Sequence, residues 1–334
     1  MNVERIAGRT CGAPFPVYAD LVDALARAHQ GGAVDRDATV AHVLGTCAGY
    51  SYADLATVAT MASRLGLDAH ACVRISQTVD AMFVFSTAYL VQSSCGRVVV
   101  LSYRGTEPAE LGNWLGNADV GSESSLLSVG EGVDAPRIHA GFYLNVRATW
   151  WAVMEELARA VQGRSLLDPA QAVERPLEAL YVTGHSLGGA MAVLFALAVE
   201  SDRTRRAIAD RLRAVYTFGQ PMTACAPLPP WVGEVGRKVI RHVRPRDPVP
   251  CLPPAQWGPF VHIGQEFRYQ DGEWRRPDSP VQAALRRREI AQSMLALLAP
   301  ERQRRSYRYS VADHRPQHYI AELRPRGRVT ELGD

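Results

Sequence analysis

Lysine is all but missing from this chain: Lys238 is the single lysine among 37 basic residues, and arginine supplies the rest. Beside so much alanine, the arginine excess reads as a base-composition bias rather than a binding surface. The formal net charge of +3 is too small to argue for nucleic acid or an acidic partner. Cysteine is sparse too. Cys11, Cys47, Cys72, Cys95, Cys225 and Cys251 are scattered with no C-x-x-C pair, which leaves no metal or redox motif. So dilute a set reads as small buried side chains rather than a disulfide framework. No run reaches the ~20 apolar residues of a membrane span. The opening residues M-N-V-E-R-I-A-G-R-T lack an apolar core of signal-peptide length. These absences predict a cytoplasmic protein, unless a signal-independent export system carries it, with no metal, no organic cofactor and no nucleic-acid partner. They leave the oligomeric state open.

What is present points to enzyme chemistry. Hydrophobic content of 47% and charged content of 21% are those of a globular protein, and 334 residues suffice for one large α/β domain. The chain is organised around residues 180–190, L-Y-V-T-G-H-S-L-G-G-A. Leu180, Tyr181 and Val182 are strand-forming, and M-A-V-L-F-A-L-A-V from Met191 reads as a helix packed on a sheet. Between them stands Gly184-His185-Ser186-Leu187-Gly188, a G-x-S-x-G. A serine on so tight a strand-to-helix turn is strained and exposes its hydroxyl, and its flanking residues approach backbone too closely to carry a Cβ. The N-terminus of the following helix directs N–H groups at the place where an oxyanion would form. Ser186 is the candidate nucleophile.

Around this turn the chain alternates. Residues 1–16 read as an irregular lead-in. Helices are predicted at 17–30, 38–44 and 51–65, the last with Ser51 as N-cap and Gly66 as stop. Strands follow at 81–92 and 97–103, then a helix opened by His139-Ala140-Gly141-Phe142 and strands at 214–219 and 238–243. Further strands at 260–264 and 266–269, a helix at 280–298 and a terminal helix containing Tyr319-Ile320 complete the reading. This alternation implies an α/β fold with a mostly parallel central sheet, helices on both faces and a helical N-terminal extension. The predicted division is residues 1–70 for the extension, packed on a catalytic domain of residues 71–334. The Arg-rich stretch 286–308 reads as a solvated helix face and linker, with weak contact to anionic membrane headgroups as the alternative.

A serine hydroxyl needs a base and an orienting carboxylate, which in α/β-hydrolases follow it in the order Ser, Asp or Glu, His. Of the downstream carboxylates, Asp247 alone comes directly after a buried-looking strand, held between prolines. His242 and His262 lie in strands and read as core or edge histidines. His314 and His318 both lie near the last loop. Pro316 suits the first turn of the terminal helix, which leaves His314 in the loop and His318 in the helix. His185 reads as a support of the elbow. Thr106, after a strand and a glycine, can face Ser186 with a backbone N–H and a hydroxyl, beside the N–H of Leu187. Leu111, Trp114, Leu126 and Leu127 are candidates for an apolar acyl groove, with local packing as the competing reading.

The chain resembles the class 3 (fungal-type) lipases over residues 73–323. The stretches that carry the likeness are Tyr103-Arg104-Gly105-Thr106, Asn113-Trp114, His139-Ala140-Gly141-Phe142, Val182 through Ala190, Thr217-Phe218-Gly219-Gln220-Pro221, Asp247-Pro248-Val249-Pro250 and Asp313-His314. The resemblance implies an α/β-hydrolase with Ser186 as nucleophile, Asp247 as orienter and His314 as base. It further implies Thr106 and Leu187 as oxyanion donors, and a lid after Thr106. The implied activity is hydrolysis of acyl esters or lipids through an acyl-enzyme. A phospholipase or acyltransferase on the same triad is the alternative, and a non-catalytic lipid-binding scaffold a third reading.

Overall fold

The computed structural model describes residues 1–8, 16–31, 34–67, 69–79, 84–106, 124–278 and 309–333. The predicted lid after Thr106, the predicted helix at 280–298 and the Arg-rich stretch 286–308 lie outside these residues. In chain order the described elements begin with β1 (Asn2–Ala7), α1 (Leu21–Arg27), α2 (Ala38–Tyr50), α3 (Leu55–Leu65), β2 (Ala69–Val79), β3 (Val84–Ser93) and β4 (Val98–Tyr103). Next come β5 (Ser124–Leu126), β6 (Arg137–His139), α4 (Ala140–Val161), β7 (Ala179–His185), α5 (Leu187–Glu200), β8 (Leu212–Phe218) and β9 (Ala224–Cys225). The chain continues through β10 (Val239–Val243), β11 (Phe260–Val261), β12 (Gln265–Gln270) and β13 (Glu273–Arg275) to α6 (Pro316–Leu323).

The strands of the main sheet are ordered β1-β2-β3-β4-β7-β8-β10-β12-β13. From β4 to β12 neighbouring strands run parallel, and antiparallel pairs flank this centre on both sides. A smaller sheet, β11-β9-β6-β5, lies apart from it. Every residue of β7 is buried, as a strand covered on both faces requires. The period-2 alternation of strands sorts side chains between two cores. Val99, Leu101 and Val182 face α4 and α5, meeting Val153, Leu157 and Val193. Val98, Val100 and Tyr181 face the other way, onto Leu25, Val43 and Val58 from α1–α3.

Three local differences from the sequence reading have physical causes. The lead-in is not irregular: β1 pairs with β2, and Arg5 forks onto Glu156 of α4 at 2.9 and 2.6 Å, tying this edge to a helix. Residues 38–50 form one helix rather than a shorter one, and α3 starts later than Ser51. The Asp54 carboxylate accepts from Thr57 N–H at 2.8 Å and caps α3, while the Ser51 hydroxyl donates to the Ala48 carbonyl at the end of α2. Tyr52 therefore falls in the α2–α3 turn.

Helix α2 packs closely on α6. A Cβ on Gly45 would stand 2.5 Å from Leu323, and one on Gly49 2.6 Å from Ile320, so bare backbone lets the two helices meet. The N-terminal helices thus brace the helix that follows His314.

Several enclosed histidines are neutral by construction. His42 Nδ1 shares a hydrogen bond with the Tyr18 hydroxyl, His242 accepts from Arg36, and His262 donates to the Pro250 carbonyl. Burial pushes His42 down to about 4 and holds His185, His242 and His262 well below their usual value. Between those folded values and about 6.5 the unfolded chain binds these protons and the folded chain does not. Stability is therefore retained above about 6.5 and falls as the pH drops below it. The expected loss is at most ~1.4 kcal/mol per pH unit for each histidine. Urea unfolding at pH 7.5 and 5.5 checks this, and an unchanged midpoint would contradict it.

Candidate active site

The strand-to-helix turn has the geometry that its glycines allow. Ser186 has φ 58° and ψ −130°, a conformation costly for a residue with a side chain. Its amide is held by the Phe218 carbonyl at 2.9 Å. A Cβ on Gly184 would run into the Gly188 carbonyl, and one on Gly188 into the Tyr103 carbonyl, so no other residue type fits either position without moving backbone. Ser186 precedes α5, whose first N–H groups, Leu187 among them, have no partner within the helix. The Gly105-Thr106 turn runs beside the serine: a Cβ on Gly105 would stand 3.1 Å from Ser186 Cβ.

Asp247 follows β10 and is buried. Its carboxylate collects three donors: His314 Nδ1 at 2.8 Å and the Tyr319 hydroxyl at 2.6 Å on Oδ2, and Val249 N–H at 2.9 Å on Oδ1. His314 closes a 3-10 turn, Val311–His314, just ahead of α6. With Nδ1 on the carboxylate, its Nε2 is left as an acceptor. Ser186 Oγ and His314 Nε2 are both enclosed, and neither has a hydrogen-bond partner among the described residues. Such pairs are often loose before substrate binds. Gly219, at the end of β8 with φ 60°, makes room for the Asp247–His314 contact. A Cβ there would stand 2.7 Å from Asp247 Oδ2 and 2.8 Å from His314 Nδ1.

The other candidates divide clearly. His318 lies in α6, with Nδ1 accepting from Arg244 at 3.0 Å. Burial and then the Arg244 charge lower its pKa. Arg244 also forks onto Glu322 and reaches Asp313, which fixes His318 in a separate polar cluster. His242 is packed among Tyr216, Phe218 and Trp274 on the α1–α3 side of the sheet. Leu127 is sequestered in the core, whereas Leu126 on β5 is 57% exposed, so of these two only Leu126 offers free apolar area. Leu111 and Trp114 lie outside the described residues.

Sequence reasoning passed over two groups that touch this cluster. Tyr319 served only to mark the terminal helix, yet its hydroxyl is the shortest contact of the Asp247 carboxylate. Burial and then the Asp247 charge raise its pKa well above the usual value, so it remains an O–H donor. Tyr52 contacts His185 through its hydroxyl at 2.9 Å. Spacing alone offers no signal for either, because each is brought in from a distant helix or turn.

Residues 100–257 match the family Lipase (class 3). The Rhizomucor miehei lipase is 28% identical over 205 residues, 61% of this chain and 50% of the relative. The secreted mono- and diacylglycerol lipase 1 of Fusarium solani is 28% identical over 185 residues, 55% of this chain and 48% of the relative. This chain spans about half the length of the curated relatives it matches. Among solved structures, the native Rhizomucor miehei lipase propeptide complex aligns with a TM-score of 0.53 at 21% identity. The alignment covers 82% of this chain and 78% of that one, a likeness of fold. The chain has an α/β-hydrolase fold. Over residues 100–257 it is similar to the class 3 lipases.

These relatives also correct one expectation, the cytoplasmic location. The Fusarium solani relative is a secreted lipase. A missing apolar core in the opening residues does not decide a compartment, because the fold and its site chemistry are indifferent to where they operate. Among the described residues, no helix is long and apolar enough to cross a membrane.

Replacing Tyr319 by Phe removes one donor from a buried carboxylate while keeping the ring. Labelling of Ser186 by an organophosphonate, followed by mass spectrometry, is expected to slow by about tenfold or more, the usual scale for a hydrogen bond to a charged group. An unchanged rate would show that the hydroxyl contributes nothing to the site.

Proposed function

We propose that this chain is a serine carboxylic-ester hydrolase acting on acyl esters of lipids. The observation that carries the reading is the meeting of three distant segments. Ser186 on a strained turn, Asp247 after β10 and His314 before α6 bring a hydroxyl, a carboxylate and an imidazole into one enclosed cluster, with the imidazole bonded to the carboxylate at 2.8 Å. The class 3 lipase match over residues 100–257 supports the same reading.

In this mechanism His314 Nε2 takes the Ser186 proton as Oγ attacks the acyl carbonyl. Asp247 holds Nδ1–H, fixes the tautomer and stabilises the imidazolium that forms. The backbone N–H groups of Thr106 and Leu187 receive the developing oxyanion, at a helix N-terminus whose dipole favours negative charge. His314 then protonates the departing alcohol. Water, activated by the same imidazole, releases the fatty acid from Ser186. Leu126 is the described candidate for contact with the acyl chain, since an acyl chain offers mainly area to bind. Within residues 1–70, helices α1–α3 cover one face of the catalytic domain's sheet, and β1 extends that sheet at its edge.

Ser186→Ala is expected to fold normally and to lose hydrolysis of p-nitrophenyl esters by several orders of magnitude, on the order of a millionfold if the triad acts as a unit. His314→Ala should match that loss, and the double variant should be no worse. An active Ser186→Ala protein would end this reading. Thr106→Val keeps the backbone donor and removes the hydroxyl. If that hydroxyl also binds the oxyanion, kcat drops by about a hundredfold or more. An unchanged kcat would leave the backbone N–H as the only contribution of Thr106.

A further inference from the structure

We propose that Tyr52 and His185 are positioning residues for the base. Tyr52 locks the His185 tautomer, and His185 holds the backbone of His314 so that its imidazole stays between Asp247 and Ser186. The inference rests on the ester-hydrolase reading and adds to it a residue from the N-terminal turn, outside the segment that matches the lipase family.

The hydrogen-bond inventory permits one assignment. His185 Nε2 lies 2.6 Å from the His314 carbonyl oxygen, and Tyr52 Oη lies 2.9 Å from His185 Nδ1. A carbonyl only accepts, so Nε2 carries the proton. In a neutral imidazole Nδ1 is then the acceptor, and the Tyr52 hydroxyl must donate to it. Burial and the neighbouring His314 keep His185 neutral, as the assignment requires. A relay runs from the α2–α3 turn through His185 to the peptide unit that carries the base.

That peptide unit needs a hold. His314 ends a 3-10 turn and Pro316, which has no N–H, begins α6; Arg315 N–H reaches the Ala312 carbonyl at 3.3 Å, and the His314 carbonyl at the other end of that peptide is taken by His185. The His185 and His314 rings lie with centroids 4.4 Å apart and planes at 33°, close enough that rotation of one displaces the other. Tyr52 is held in turn. A Cβ on Gly105 would strike its hydroxyl, and the Arg104 guanidinium lies 5.9 Å from its ring centre. The hydroxyl therefore sits between the Gly105-Thr106 turn and His185, touching the proposed oxyanion side and the base side together.

Without the Tyr52 donor, the Nε2–H form of His185 leaves a buried Nδ1 unsatisfied. The alternative Nδ1–H form turns a lone pair toward the His314 carbonyl. Either outcome loosens the base without removing substrate contacts, so kcat falls and KM does not.

The test uses the full chain with p-nitrophenyl butyrate. Tyr52→Phe is expected to lower kcat about tenfold with KM within about twofold, the scale of one lost hydrogen bond in a catalytic network. His185→Leu should lose more, and Tyr52→Phe added to it should cost nothing further, because the relay is already broken. In His185→Gln a side-chain amide N–H replaces the ring Nε2–H and should recover most of the kcat lost in the leucine variant. Thermal unfolding of each variant is recorded alongside. If the leucine variant does not fold, Tyr52→Phe and His185→Gln decide by themselves. An unchanged kcat in Tyr52→Phe, an additive loss in the double variant, or a glutamine variant no better than leucine would each overturn the proposal. Activity surviving Ser186→Ala would overturn the hydrolase reading instead, so the two failures are distinguishable.

Discussion

A buried carboxylate is tolerable only when its lone pairs are occupied, and Asp247 satisfies that condition with groups drawn from three places. Val249 N–H comes from its own loop, His314 Nδ1 from the turn before α6, and the Tyr319 hydroxyl from within α6. The terminal helix can dock only where it delivers both donors. Gly219, with room for no side chain beside this pair, lets β8 close underneath it. The orientation of the imidazole, the seat of α6 and the end of β8 all depend on this one desolvated group.

The N-terminal helices belong to the same construction. Gly45 and Gly49 bring α2 against Leu323 and Ile320 of α6, and the turn after α2 carries Tyr52 to His185. The site is thus braced from both ends of the chain, although the stretch matching the lipase family covers only its middle. The enclosed, neutral histidines are a consequence of the same close packing. They tie the fold's stability to pH in a range where exposed histidines would be indifferent.

Much of this architecture was legible beforehand because it is local. Strand, tight turn and helix around Ser186 follow from consecutive residues, with glycines at 184 and 188 answering a steric demand within a few residues of the serine. The buried run of β4, the N-terminus of α4 at His139 and the Pro316 start of α6 are equally short-range signals. Where the reading missed, two local signals competed or a partner was remote. Ser51 and Asp54 both suit an N-cap, and the carboxylate takes the role. The lead-in becomes a strand only because β2 offers it an edge.

The sequence by itself determined the α/β alternation, the elbow and a short set of titratable residues at strand ends, because backbone sterics and hydrophobic period act over a few neighbours. Which of those residues meet was decided by the tertiary structure. His314 and His318 are four positions apart and chemically identical. One turns its ring onto Asp247, while the other is taken by Arg244. Tyr319 and Tyr52 carry no motif, and they reach the site only because α6 and the α2–α3 turn are packed there. Contacts between residues 52, 185, 247, 314 and 319 depend on how helices seat on the sheet, and that seating is a property of the whole core.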